Sequence, residues 1–105
     1  MNIRQLLWFA LLAPPAQAAD LAPELWDRPR SAQAVMAQPA VQQAVAAYQA
    51  NGAARIMIIH GPRLEVQLQA EELRAWLVAL AVDGARLQLR ADPRATTVLR
   101  LEVTE

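Results

Sequence analysis

The apolar and polar positions change their period several times along the chain, and each change predicts an element. Leu6-Leu7-Trp8-Phe9-Ala10-Leu11-Leu12-Ala13 is an unbroken apolar run, closed by Pro14-Pro15. Ala32 to Ala50 is rich in Ala and Gln, and Val41, Val45 and Tyr48 fall at the i, i+4, i+7 spacing of an amphipathic helix. Ser31 is placed to cap its start. Pro39 interrupts it where a second helical segment would begin, a first-turn position that costs no hydrogen bond. Asn51-Gly52 predicts its end through a left-handed cap. Ile56-Met57-Ile58-Ile59 predicts a strand over Arg55–His60, covered on both faces and therefore central, with Gly61-Pro62 as its stop. Leu64, Val66 and Leu68 alternate with Glu65, Gln67 and Gln69, the pattern of a short strand or of an extended loop feeding the next helix. Leu73, Trp76, Leu77 and Leu80 predict a helix over Glu71–Val82, with Glu71 and Glu72 in its first turn and Asp83-Gly84 as terminator. Leu87 and Leu89 alternate with Arg86, Gln88 and Arg90. After a turn at Asp92-Pro93, Leu99, Leu101 and Val103 predict a final strand from Thr97 to Val103.

This order predicts an α+β fold, with two helices packed on one face of a small three- to four-stranded mixed sheet, in a single domain over residues 31–105. Residues 19–30, punctuated by Pro23 and Pro29, predict an extended lead-in or edge strand. The opening apolar run has a different meaning. Arg4 before it and Ala16 and Ala18 after it make the pattern of a secretory signal peptide over residues 1–18, cut after Ala18. The run is too short to span a bilayer. The expected destination is the periplasm, with no stable membrane insertion after cleavage. With no cysteine to acylate, the expected product is not a lipoprotein.

Composition narrows the chemistry. The 105 residues carry ten basic side chains, all arginine, against ten acidic ones, with one histidine and no cysteine. Zero net charge argues against a nucleic-acid partner. The missing cysteine excludes disulfides, thiolate nucleophiles and thiolate metal sites. His60 could act as an acid/base group or ligand, or simply end its strand. Ser31 is better placed as a cap than as a nucleophile. Glu71 and Glu72 point about 100° apart on a helix and do not converge. No glycine-rich phosphate loop is present. The expectation is a protein that is not an enzyme and holds no metal or cofactor; a small hydrolase using His60 is the weaker alternative. Arg28 and Arg30 flank Pro29, and Arg63 follows Gly61-Pro62; each is either a solvated charge or a fork for carboxylate recognition. Trp76 lies on a core stripe, whereas Trp26 is either a staple onto the sheet or an exposed contact.

From Leu25 to about Leu89 the chain resembles a divergent, degenerate OmpA-type C-terminal domain, a periplasmic family that attaches envelope proteins to peptidoglycan. Leu25-Trp26-Asp27 is similar to the family's opening strand, and the segment through Val41 and Val45 to its first helix. Ile56-Met57-Ile58-Ile59-His60 resembles the strand that ends in its Gly-His-Thr-Asp motif. Gln69-Ala70-Glu71-Glu72-Leu73-Arg74-Ala75-Trp76-Leu77 resembles its second helix, and Ala81-Val82-Asp83-Gly84-Ala85-Arg86-Leu87 the lead into its next strand. The family's wall-binding aspartate falls near Pro62 and its arginine at Gln69, and neither replacement can hold a charged stem peptide. The resemblance therefore implies a βαβαββ fold and a compartment, with the binding activity altered. The function expected is a non-enzymatic accessory or adaptor domain of a cell-envelope complex, with an envelope protein as partner. Its binding surface would comprise His60, Arg63, Gln69, Trp26 and Arg28. The alternative is a peptidoglycan-binding module in which Arg63 or Arg28 replaces the missing arginine.

Overall fold

A computed structural model of the chain describes residues 17–95 and 98–104. The expected signal peptide lies outside the described residues apart from Gln17 and Ala18, which pair in the sheet with Val103 and Glu102, so that a cut after Ala18 would shorten their strand to Ala19 and Asp20. Thr97, at the start of the expected final strand, also lies outside the described residues. The chain runs β1 (Gln17–Asp20), a 3-10 turn (Pro23–Asp27), α1 (Ala32–Met36), α2 (Pro39–Ala50), β2 (Arg55–His60), α3 (Leu64–Ala79), a second 3-10 turn (Gly84–Arg86), β3 (Leu87–Ala91) and β4 (Arg100–Thr104). The strands form one mixed sheet in the order β1-β4-β2-β3. The β2–β3 pair is parallel, with Ile56 opposite Leu87 and Ile58 opposite Leu89. The β1–β4 and β2–β4 pairs are antiparallel. The fold is α+β, as the pattern of elements predicts.

Strand parity puts Ile56, Ile58, Leu101 and Val103 on the face that the helices cover, where they join Val41, Val45, Val66, Leu73 and Leu77 in one core. Ala40 and Ala44 are the buried small residues of α2, which packs on β4, β1 and β2, while α3 packs on β2 and β3. The other face carries Met57 and Ile59 among charged neighbours: Arg100 Nε lies 2.8 Å from Asp20 Oδ1, and Arg90 Nη2 lies 3.7 Å from Glu102 Oε1. Strand β2 is thus central in the sheet but covered by helices on one face only. Ile59 is buried among these side chains and Val98, and no second layer of elements covers that face among the described residues.

Several local expectations hold. Ser31 Oγ accepts from the Ala34 N–H at 3.1 Å and caps α1. Pro39 opens α2 in its first turn. Three others are corrected. The lead-in is not extended throughout, because Pro23 starts a 3-10 turn that buries Leu25. Asn51 ends α2 in an extended conformation, φ −146°, and its side-chain oxygen accepts from the Ala53 N–H at 3.0 Å. No left-handed cap forms there. The third correction is the largest: residues 64–69, expected as a strand or loop, are the first turns of α3. Val66 is buried while Leu64 and Leu68 face solvent. Positions two apart on a helix lie about 200° apart, so a helix that is apolar on both faces reads as an alternating strand.

The end of α3 also differs from the expected Asp83-Gly84 stop. Ala81 takes the left-handed conformation, φ +75°, and the Val82 N–H reaches back to the Leu77 carbonyl at 3.0 Å. Val82 and Leu77 are both buried. This is a Schellman ending with its usual apolar contact, built on an alanine where glycine is favoured. A left-handed alanine costs about 1 kcal/mol or more, partly offset by the greater freedom of glycine in the unfolded chain. Ala81→Gly is expected to raise unfolding stability by about 0.5–1 kcal/mol in urea titration, with an unchanged slope.

Candidate functional site

The 3-10 turn and α3 meet at a single polar clamp. Leu25 anchors the turn in the core, and Ala22 N–H donates to Gln38 Oε1 at 2.9 Å, tying the turn to the segment between α1 and α2. Trp26 is left half-buried at the surface. Arg30 then folds back over it: the guanidinium carbon lies 5.4 Å from the centroid of the Trp26 ring, a cation–π distance. The same guanidinium grips Glu72 with both edges, Nε to Oε2 at 2.8 Å and Nη2 to Oε1 at 3.0 Å. Its remaining nitrogen, Nη1, donates to the carbonyls of Arg28 and Trp26 at 2.7 and 3.3 Å. Trp76 Nε1 donates to Glu72 Oε2 at 3.1 Å. Two tryptophans, one arginine and one glutamate thus form a connected network in which all three guanidinium nitrogens of Arg30 donate.

Around this clamp the surface is concave on both sides of Trp26. One cleft, of about 220 Å³, is lined by Trp26, Arg63, Gln69, Asp27 and Glu65 among others. An adjoining groove, of about 410 Å³, is lined by Trp26, Arg30, Leu64, Leu68, Gln69 and Glu72. Leu64 and Leu68 are 68% and 55% exposed, unusual for leucines on a structured helix. Arg63 precedes α3, and its nearest carboxylate is Glu65 at 3.9 Å. With a side chain 63% exposed, its guanidinium is accessible to an acidic group.

Of the five residues expected at a binding surface, Trp26, Arg63 and Gln69 line one cleft. His60 does not join them. It is buried on the helix-covered face at the end of β2, and its Nδ1 donates to the Gly61 carbonyl at 2.9 Å. A carbonyl can only accept, so that nitrogen carries the hydrogen. Arg28 is exposed, and its carbonyl rather than its guanidinium enters the network. Leu64, Leu68 and Glu72 are the site residues the sequence reading missed. The four-residue spacing of the two leucines was the available signal, hidden by Val66 between them. Among the described residues there is no group of His, Asp and Glu arranged to hold a metal ion. No described helix is long and apolar enough to cross a membrane. No family model, curated protein or solved structure matches the chain.

The hydrogen bond from Arg30 holds the Glu72 carboxyl below its ordinary value, helped by Trp76 and opposed by partial burial. A depressed carboxylate contributes stability above its unfolded value and loses it as pH falls through the folded one. The clamp is therefore expected to weaken from about pH 4.3, the ordinary glutamate value, downward. In thermal melts across that range, Glu72→Gln should lower the midpoint at neutral pH and reduce its acid dependence. An unchanged acid limb in Glu72→Gln would assign that dependence to other carboxylates.

Proposed function

We propose that this chain is an accessory, non-enzymatic binding domain of the cell envelope, exported to the periplasm, which engages an envelope protein through the surface around Trp26. The observation that carries this reading is the grooved apolar patch of Trp26, Leu64 and Leu68 beside an accessible Arg63. A stable fold gains nothing from leucines left in water, and contiguous exposed apolar surface rimmed by polar groups marks interaction sites. Trp and Arg are also the residue types that dominate binding energy at interfaces. The signal-like N-terminus and the resemblance of the later segments, Ile56 to His60 and Gln69 to Leu77, to OmpA-type domains support the compartment, whereas Leu25-Trp26-Asp27 is a 3-10 turn and not an opening strand.

A photoreactive amino acid at Leu68, irradiated in the producing cells, should give one predominant adduct with an envelope protein. The same group at exposed Gln43 on α2 should give none. Equal adducts at both positions, or none at either, would remove the adaptor reading. Osmotic-shock release of the shortened chain checks the compartment independently.

The cleft of Trp26, Arg63 and Gln69 favours a second reading, in which Arg63 binds a carboxylate of the peptidoglycan stem. Its test is sedimentation with purified sacculi. The adaptor reading expects the protein to remain in the supernatant. Saturable co-pelleting that Arg63→Ala abolishes would replace that reading with wall binding.

A further inference from the structure

We infer that the outward face of α3 is a docking stripe for an amphipathic helix of a partner protein, and that this helix carries a Lys or Arg facing Glu71. The inference rests on the adaptor reading and names the chemistry of its partner. Leu64, Leu68, Glu71, Ala75 and Val78 succeed one another at intervals of four, three, four and three residues along α3. All five are exposed. Leu64, Leu68 and Val78 are the exposed large apolar side chains of the described residues, so this one line on one helix holds all three. The inner face of the same helix is a second stripe, Val66, Ala70, Leu73 and Leu77, already spent on the sheet. A helix apolar on two opposite faces needs two partners, and the described residues supply one.

The spacing identifies what the second partner is. Alternating steps of three and four are the seam of two helices packed side by side. The stripe is about 21 Å long at 1.5 Å per residue, four turns of helix. Trp26 and Arg30 wall its first half.

Glu71 sets the sign. It sits at the centre of the seam and makes no ion pair among the described residues, whereas neighbouring Glu72 is held by Arg30 and neighbouring Arg74 donates to the Gly84 carbonyl at 3.1 Å. A second copy of this chain meets an obstacle here. Packed antiparallel so that Leu64 faces Val78, or parallel and in register, the symmetric pair sets Glu71 against Glu71. Two carboxylates facing each other in a dehydrated seam repel, and an apolar residue opposite would leave the charge unsatisfied. A cation opposite it forms a charge-assisted hydrogen bond and fixes the register.

The test uses the protein purified as its own cells accumulate it. Two labelled synthetic helices of about 18 residues carry leucines at the four-three spacing and differ only at the central position, Lys in one and Glu in the other. Fluorescence anisotropy should show the Lys peptide binding at least about tenfold more tightly. Glu71→Lys should invert the order, and Leu68→Asp, at an exposed position, should abolish both while a cooperative melt shows that the variant remains folded. Equal affinities that Leu68→Asp still abolishes would overturn the charge rule and leave the adaptor reading standing. Binding of neither peptide up to about 1 mM would overturn the docking stripe, while an adduct at Leu68 in cells would still uphold the adaptor reading. A dimer in sedimentation equilibrium that Leu68→Asp dissociates would assign the stripe to a second copy and overturn the inference.

Discussion

The parallel pairing of β2 with β3 is the constraint from which the rest of the molecule follows. Two parallel neighbours cannot be joined by a tight turn, so the chain must leave the end of β2 and return to the start of β3. Helix α3 makes that return. Its length is set by the strands it reconnects, and its rotation by Val66, Ala70, Leu73 and Leu77, which must face Ile56 and Ile58. Once that rotation is fixed, Leu64, Leu68 and Glu71 have to point outward, and Glu72 has to point sideways toward Arg30. The surface chemistry of the domain is a by-product of its crossover.

The clamp between Arg30 and Glu72 converts that placement into a site. Without it, the segment after the 3-10 turn would have few ties to α3, since Leu25 is the buried anchor of the turn. The guanidinium stacks on one tryptophan, bridges through the carboxylate to another, and satisfies two backbone carbonyls. Lysine could do none of this in one geometry, because an ammonium is a point charge rather than a fork. Part of the all-arginine composition thus has a physical reason: Arg30 and Arg74 each use directional N–H groups against fixed carbonyls. For Arg55 and Arg86 the structure suggests less, a single 3.4 Å contact from Arg86 to the Ala53 carbonyl.

The elements that were legible in the sequence are those where one local signal had one meaning. Pro39 could only open a helix, Ser31 was a cap in an otherwise Ala/Gln-rich stretch, and the β-branched run of β2 had no helical competitor. The start of α3 was not legible, because two helical faces interleave into a strand-like alternation. The left-handed Ala81 was invisible for a different reason: nothing in an alanine advertises that tertiary packing of Val82 on Leu77 will override its preference. At the site, Trp26 was ambiguous until the fold brought Arg30 over its ring. The position of His60 beside a turn suggested access, yet strand parity turns it inward with Ile56 and Ile58.

Strand order carries a kinetic consequence. Strand β4, the last described element in the chain, lies inside the sheet, between β1 and β2. Even the least separated pair in its register with β1, Asp20 with Arg100, is 80 positions apart in sequence. Until β4 arrives, β1 has no neighbour and β2 shows a bare edge rich in isoleucine. Such non-local closure slows folding and leaves strand edges open to the wrong partners meanwhile. The sheet therefore cannot close as its first strands are made; it closes only once β4 has been synthesised and can insert between β1 and β2.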